Sequence, residues 1–483
     1  MFNNNALSNH LWINGRACQA SSGRQFECLS PRDGTLLATI AAGEKADIDL
    51  AVTAARAAAD NWSRRSPQER RQHLLRLVDL MESHHEELAQ LESRDTGKPI
   101  THARRDDIPL AIRCVRFYAE AIDKCYDQIA PTASDVLATI RREPLGVVGA
   151  VVPWNFPLMI ACWKLAPALA VGNTVVLKPA EQSPLTAIRL AELATEAGLP
   201  DGVLNVVPGY GETAGAALGL HPDVDAISFT GSGGVGRLFQ RYASDSNMKA
   251  VFVECGGKSP QIVFDDAENL DEVAAAVAQG ICYNQGQVCS AGSRLLLQRS
   301  IADDFMQRVL AHVDRWQLGD PMDDSTTMGA MIEKPHLARV QNLIDTGHEQ
   351  GAELVYRGQS FDSLDGFYMP ATVFDHVSRG MTIAQEEIFG PVLAVTRFDS
   401  DDEALAEANG TRYGLAAAVW TSSLSRAHRV SQGLKAGTVW VNNYDGSDIT
   451  VPFGGFGESG NGRDKSLHAL DKMSQLKTTW IQF

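Results

Sequence analysis

Between Asp47 and Leu91 apolar residues recur at the three-to-four spacing of an amphipathic helix, in a stretch rich in Ala, Leu and Arg. Ser66-Pro67 interrupts it with the signature of a helix start, so the pattern predicts two helices in succession. From Leu145 to Gly257 the pattern changes, and short apolar runs (GVVGAVVP, NTVVLK, VLNVVPG, DAISFTG, KAVFVECGG) alternate with amphipathic stretches. Strands alternating with helices imply a parallel sheet, and TVVLKPAEQSPLTAIRLAELATEAGLPDGVLNVVPG has the length of one βαβ crossover. A second α/β portion runs from about Ser259 to Gly457, with strands predicted at PQIVF, SRLLLQ, VLAVTRF and GTVWVNN. The last residues, LKTTWIQF, are β-branched and aromatic, the make-up of an edge strand that invites pairing with another chain.

At 483 residues the chain is too long for one compact domain. A net charge of -16 opposes binding to phosphate backbones and anionic membranes, so neither nucleic acid nor a membrane is an expected partner. No stretch of roughly 20 apolar residues is present to span a bilayer, and MFNNNALSNHLWING lacks the layout of a signal peptide, which predicts a cytoplasmic enzyme. The eight cysteines include no C-x-x-C pair and read as reduced thiols; no metal is expected.

Three residues stand where chemistry is plausible. Cys289, in YNQGQVCSAGSR, follows a Gly-containing turn and precedes Ser290-Ala291-Gly292, small residues that let a ligand approach the thiol; a buried structural cysteine is the plain alternative. Glu254 ends the strand-like run of VFVECGGKS, the strand end at which open α/β sheets place their sites; helix caps and surface charges also occupy such positions. Asn155, between Trp154 and Phe156 in VVPWNFP, offers an amide in apolar surroundings to stabilise an oxyanion, or is a turn residue. The Gly-rich segments PGYGETAG and FTGSGGVG each sit between strand and helix, where backbone N–H groups attract phosphate. Gly231 to Gly236 has G-x-x-x-x-G spacing but continues Arg237-Leu238, which excludes a Walker A loop.

PWNFP, KPAEQSP, FTGS, VECGGKS, NQGQVCSAGSR, EEIFGPV and PFGGFGESGNGR, in this order and approximate spacing, resemble the aldehyde dehydrogenase superfamily over essentially the whole chain. The resemblance implies an α/β fold in three parts: a Rossmann-like NAD-binding domain over 1–121 and 145–256, an α/β catalytic domain over 257–458, and a small β oligomerisation arm over 122–144 and 459–483. It implies Cys289 as nucleophile, Glu254 as general base, and Asn155 as oxyanion donor beside the Cys289 backbone N–H. Cys255 departs from the Leu that many members carry after the base. Lys178 and Glu181 match the residues that bind the adenosine ribose, and Glu387 and Phe389 those at the nicotinamide ribose. Trp154, Thr230, Gly231 and Ser232 match further cofactor contacts at the adenine and pyrophosphate end. Glu181 would repel a 2′-phosphate, which favours NAD over NADP. The implied reaction oxidises an aldehyde to a carboxylate through a cysteine thioester. Relatives that pass the acyl group to coenzyme A generally lack the carboxylate base, and a non-catalytic descendant of the scaffold would lose the nucleophile or base.

A narrower resemblance, in RRDDIPLAIRCVRFYAEAIDK, NNYDGSDITVPFGG and SGNGRDKSLHAL, is to the bacterial γ-glutamyl-γ-aminobutyraldehyde dehydrogenases of putrescine breakdown, with ω-aminoaldehyde and guanidinobutyraldehyde enzymes close by. It implies an apolar passage lined by Phe156, Trp163, Tyr283 and Phe453, residues that are otherwise simple core. Asp107, Asp445 and Asp448 are expected at its outer end, facing a cationic group; solvated charges and a helix N-terminus at Asp106-Asp107 are the alternatives. A broad aliphatic specificity is the competing expectation. A homodimer or homotetramer is the expected assembly.

Overall fold

The computed structural model describes residues 9–359 and 365–483. Two seven-stranded sheets organise them. In the first, five strands run parallel in the spatial order Ala250–Cys255, Ala226–Gly231, Val147–Val151, Thr174–Lys178 and Leu204–Val206, with antiparallel Leu11–Ile13 and Arg16–Cys18 beyond them. Val147–Val151 and Thr174–Lys178 are buried at every position, as strands covered on both faces must be. The strand order reverses between Val147–Val151 and Ala226–Gly231. That switch point opens a crevice at the carboxyl ends of the strands, where Trp154-Asn155, Thr230-Gly231 and Glu254 emerge.

The second sheet has antiparallel Glu353–Arg357 at one edge, followed by parallel Thr372–Asp375, Val392–Phe398, Arg294–Gln298, Pro260–Val263, Ala416–Trp420 and Thr438–Val441. Its contribution to the crevice comes from the opposite strand ends. Cys289 lies on the loop entering Arg294–Gln298, and Glu387 and Phe389 on the loop entering Val392–Phe398. A third, three-stranded sheet pairs Ser474–Gln482 with Val136–Pro144 over nine residues, with Gln128–Ala130 on the far side. From Gln475 to Gln482 the terminal strand is exposed at every position.

Two helices were predicted between Asp47 and Leu91, and three occur: Lys45–Arg64, Pro67–Ser83 and His85–Thr96. Ser66 starts the second through a capping box with Glu69. His84, at φ -102° and ψ 18°, leaves helical geometry and divides what periodicity alone reads as continuous. The helix Pro157–Val171 is decisive for the site. It starts with Pro at its first position, ends at Gly172 in the left-handed conformation (φ 104°), and is buried almost throughout, with Lys164 its single charge.

Candidate active site

Two cavities meet at Cys289. One, of about 270 Å³, is walled by Trp154, Asn155, Thr230, Gly231, Ser232, Cys255, Glu387 and Phe389. The other, of about 310 Å³, is walled by Phe156, Trp163, Tyr283 and Phe453, with Asp106, Asp107 and Asp445 also on its surface. Cys289 and Ile160 are the residues common to both walls.

The turn before the thiol is held in an uncommon shape. Asn284, Gln285 and Gly286 have φ of 47°, 55° and 67°, strain of a kind that collects at functional sites. A Cβ on Gly286 would strike Gly390, so close packing of the two loops requires glycine there. Gln287 Oε1 accepts from Ile332 N at 3.0 Å, and Tyr444 Oη donates to the Ser290 carbonyl at 2.9 Å, which fixes the loop on both sides of Cys289. The thiol is reachable from the cavities yet closely surrounded. Burial, then the negative charges of Glu387, Asp445 and Glu254, push its pKa up to about 12.

Asn155 donates from Nδ2 to the Gln287 carbonyl at 2.9 Å and receives at its own carbonyl from Asn284 Nδ2 at 3.2 Å, which pins it to the cysteine loop. An amide has two N–H groups, so one remains for an oxyanion. Glu254 lies behind the cavity walls rather than on them. It is 3% exposed, both carboxylate oxygens lack hydrogen-bond partners, and a Cβ on Gly462 would press on it. Burial and the neighbouring Asp464 raise its pKa to about 8, opposed by Lys164, Lys472 and Arg463. Lys164 pairs with Asp464 at 2.5 Å, and Lys472 pairs with the other Asp464 oxygen, so the base backs onto a buried charge network. Periodicity did not single out Lys164, although one lysine in fifteen otherwise uncharged residues was a visible signal.

The first cavity suits a dinucleotide. Thr230 Oγ1 is buried without a partner, and Gly234 opens onto empty space at the start of the Ser232-capped helix Gly233–Ser244, so that helix end is free to receive phosphate. Glu387, raised to about 7 by burial, lines this cavity, and Gly257 N donates to it at 3.3 Å. Phe389, at φ 59°, packs edge-on against Trp154 at 5.2 Å. Two further residues hold this loop and had no sequence signal. His336 bonds the Phe389 carbonyl at 2.7 Å, and Arg339 donates to the Ile388 and Glu387 carbonyls at 2.8 Å each. Lys178 and Glu181 pair with each other at 2.8 Å and do not line this cavity.

The second cavity gathers all four predicted aromatic residues, with Trp163 and Phe453 in contact at 5.6 Å. The acids divide. Asp445 lines the cavity and is open to water. Asp107 borders it but is buried and neutralised by an ion pair with Lys98, because the π-helical turn Ala103–Asp107 points it inward. Its neighbour Asp106 takes the place expected of it, accepting from Tyr283 Oη at 3.1 Å. Asp448 does not line the cavity; it pairs with Arg113 and caps Thr450 at 2.9 Å, which holds its pKa down at about 2. Among the described residues, no cluster of His, Cys, Asp or Glu is arranged to hold a metal ion, and no helix is long and apolar enough to cross a membrane.

The profile of the aldehyde dehydrogenase family matches residues 18–479. The NADP/NAD-dependent aldehyde dehydrogenase PuuC of Escherichia coli is 55% identical, over 99% of this chain and 96% of its own. Among solved structures, indole-3-acetaldehyde dehydrogenase AldA of P. syringae, in complex with NAD+ and IAA, superposes with a TM-score of 0.98 at 52% identity, covering 99% of this chain and 97% of that one. The γ-glutamyl-γ-aminobutyraldehyde dehydrogenase of Burkholderia cenocepacia superposes at 0.97 with 51% identity and the same coverage.

Proposed function

This chain belongs to the aldehyde dehydrogenase family, and from that premise we propose how its residues divide the work of NAD-dependent aldehyde oxidation. The observation that carries the assignment is the position of Cys289, the one reactive side chain on the walls of both cavities. The aldehyde enters through the aromatic cavity, and Cys289 attacks its carbon. Because the thiol titrates near 12, a base must take its proton as attack proceeds. The free N–H of Asn155 and the Cys289 backbone N–H stabilise the charge on the aldehyde oxygen. A bound nicotinamide dinucleotide supplies the hydride acceptor, and Trp154, Thr230, Gly231, Ser232, Glu387 and Phe389 are assigned to hold it, with Lys178 and Glu181 at the adenosine ribose. Glu254, untethered by hydrogen bonds, reaches the thioester by side-chain rotation and takes a proton from water as the water attacks; the carbon–sulfur bond breaks, Cys289 is released, and the proton passes from Glu254 to solvent. The product is the carboxylate. Incubation with aldehyde and NAD+ in the presence and absence of coenzyme A tests this: carboxylate is expected in both, and acyl-CoA as the main product would overturn the hydrolytic assignment.

For the substrate, we propose a linear aldehyde with a cationic end, of the γ-glutamyl-γ-aminobutyraldehyde or ω-aminoaldehyde class. Support comes from a cavity of about 310 Å³ walled mainly by apolar side chains, with the acids Asp106, Asp107 and Asp445 on its surface, and from the names of similar proteins. Comparing kcat/KM for the γ-glutamylated, free amino and guanidino aldehydes with a neutral aldehyde of equal length tests it. Equal efficiency on all four would make the enzyme a broad aliphatic aldehyde dehydrogenase. We further assign the NAD-binding, catalytic and arm regions to the boundaries expected above. A dimer or tetramer through the exposed terminal strand, in a reducing cytoplasm that suits eight unpaired thiols, completes the reading.

A further inference from the structure

A third cavity, of about 10 Å³, shares no wall residue with the other two and lies where the chain enters the strand Pro260–Val263 and the helix Asp401–Ala408 ends. Its polar walls are Lys258, Ser259, Arg294, Asn409, Tyr413 and Lys435; the rest are apolar or glycine, and no acid is among them. Three cations therefore border a space that no carboxylate shares. Lys258 is 1% exposed and Ser259 2%, and neither Lys258 Nζ nor Ser259 Oγ has a hydrogen-bond partner among the described residues. Arg294, also buried, donates to the carbonyls of Lys258, Glu407 and Ala408 at 2.8, 2.8 and 2.7 Å. Those bonds satisfy its N–H groups, and the helix end returns part of its charge. The carboxylates that act on the two buried cations are engaged elsewhere. Glu386 is paired with Arg412 at 2.6 Å and Glu407 with Arg379 at 2.9 Å, while Glu387 lies on the cofactor cavity and accepts from Gly257 N. The acceptors of the wall are taken as well: Asn409 Oδ1 by the Lys435 backbone N–H at 2.8 Å, and the Tyr413 hydroxyl by Arg412 at 2.9 Å.

We propose that this cavity is a binding site for one small monovalent anion of chloride size, held by Lys258 Nζ and Ser259 Oγ and by the charge of Arg294. Burying an ammonium without a partner costs several kcal/mol, and a counter-charge recovers that cost. The protein supplies no carboxylate in the cavity, so the counter-charge comes from outside the chain. Size then decides which anion. A cavity of roughly 10–15 Å³ on this measure admits one water-sized guest, which excludes phosphate, sulfate and carboxylates and leaves a single-atom halide. A water would answer the two unpartnered donors but not the charge. Burial and the neighbouring Arg294 push the Lys258 pKa down to about 7, the direction expected of an ammonium whose counter-charge the protein does not provide. The anion ties the entry of Pro260–Val263 to the end of Asp401–Ala408, and it does so one residue from Gly257, which bonds Glu387. Its first effect is therefore on the stability of the catalytic half, whichever aldehyde enters.

Bromide is the probe, because it has the charge of chloride, nearly its size, and an anomalous X-ray signal. Crystals of the wild-type protein soaked in bromide are expected to show an anomalous peak within hydrogen-bonding reach of Lys258 Nζ and Ser259 Oγ. No peak there, or density without anomalous signal, which identifies a water, would overturn the inference without any variant having to fold. In solution, bromide replaces gluconate at constant ionic strength while thermal unfolding is followed. The wild-type Tm is expected to rise relative to that of Lys258→Met by about 2 °C at roughly ten times the Kd, and to saturate. A crystal peak accompanied by identical Tm responses in the two proteins would mark an adventitious ion only, and would overturn it too. Ser259→Ala, which removes one small donor and keeps the cations, is expected to raise the Kd for bromide severalfold; an unchanged Kd would sink the site even where Lys258→Met does not fold. Neither measurement reads activity, so the aldehyde assignment and this one stand or fall separately.

Discussion

At the scale of single residues, the site is a set of acids and a thiol kept in their protonated forms by burial. Glu254 titrates at about 8 and Cys289 at about 12, so at neutral pH both protons are in place before substrate arrives. The carboxylate form of Glu254 grows as pH rises through 8. Turnover limited by thioester hydrolysis is therefore expected to climb across that range in kcat–pH profiles and to level off above it. Glu254→Gln is expected to keep a burst of NADH but slow the steady state by roughly 10²–10⁴-fold, which stopped-flow absorbance resolves; an unchanged steady state would assign water activation to another group. Cys289→Ala is expected to abolish the burst while leaving NAD binding, read by calorimetry, intact. Glu181 carries a different expectation. It is paired with Lys178 rather than standing alone, so Glu181→Gln removes the repulsion of a 2′-phosphate and leaves Lys178 free to attract one. The NAD-to-NADP ratio of kcat/KM is expected to fall about tenfold, equivalent to about 1.4 kcal/mol.

At the scale of elements, the site depends on glycines that let the C-terminal segment close over a strand end. Gly460, at φ 111°, bridges to Glu254, and a Cβ there would collide with the Val253 carbonyl. Gly460→Ala is expected to lower kcat more than tenfold by displacing Glu254, with the Cys289 alkylation rate unchanged; parallel loss of both would mean general misfolding instead. Lys164→Met removes a cation that lowers the Glu254 pKa, so the alkaline rise in kcat is expected to move to higher pH. These elements differ in how visible they are in sequence. NTVVLK declared its strand because every position of Thr174–Lys178 is buried, and KAVFVECGG because its apolar run ends at two glycines. Ala416–Trp420 did not, since alanine favours helix in isolation and becomes a strand here through pairing on both sides. The cysteine, the amide and the aromatic wall were legible as motifs. Asp448 was misplaced because a surface partner, Arg113, holds it off the cavity, while Asp107 reaches the wall with its charge already paired to Lys98. His336 and Arg339 were invisible because their role lies in packing on a loop about fifty residues later.

At the scale of the whole molecule, the terminal strand Ser474–Gln482 presents Leu476, Trp480 and Ile481 to solvent along an unpaired edge. Thr478→Pro, which breaks the pairing with Ile140, is expected to shift the sedimentation profile from oligomer to monomer; an unaltered profile would locate the interface elsewhere. The meeting of the two cavities at Cys289 also reaches beyond the reaction. Since one sulfur divides two chambers, a molecule with an alkyl arm in one, a nicotinamide-like ring in the other and an electrophile between them would bind as a tethered pair. Once either end is seated, the other is present at an effective concentration of millimolar order or more, so its avidity would exceed that of either fragment. The junction that serves turnover is thereby also the point at which both chambers are closed by one ligand.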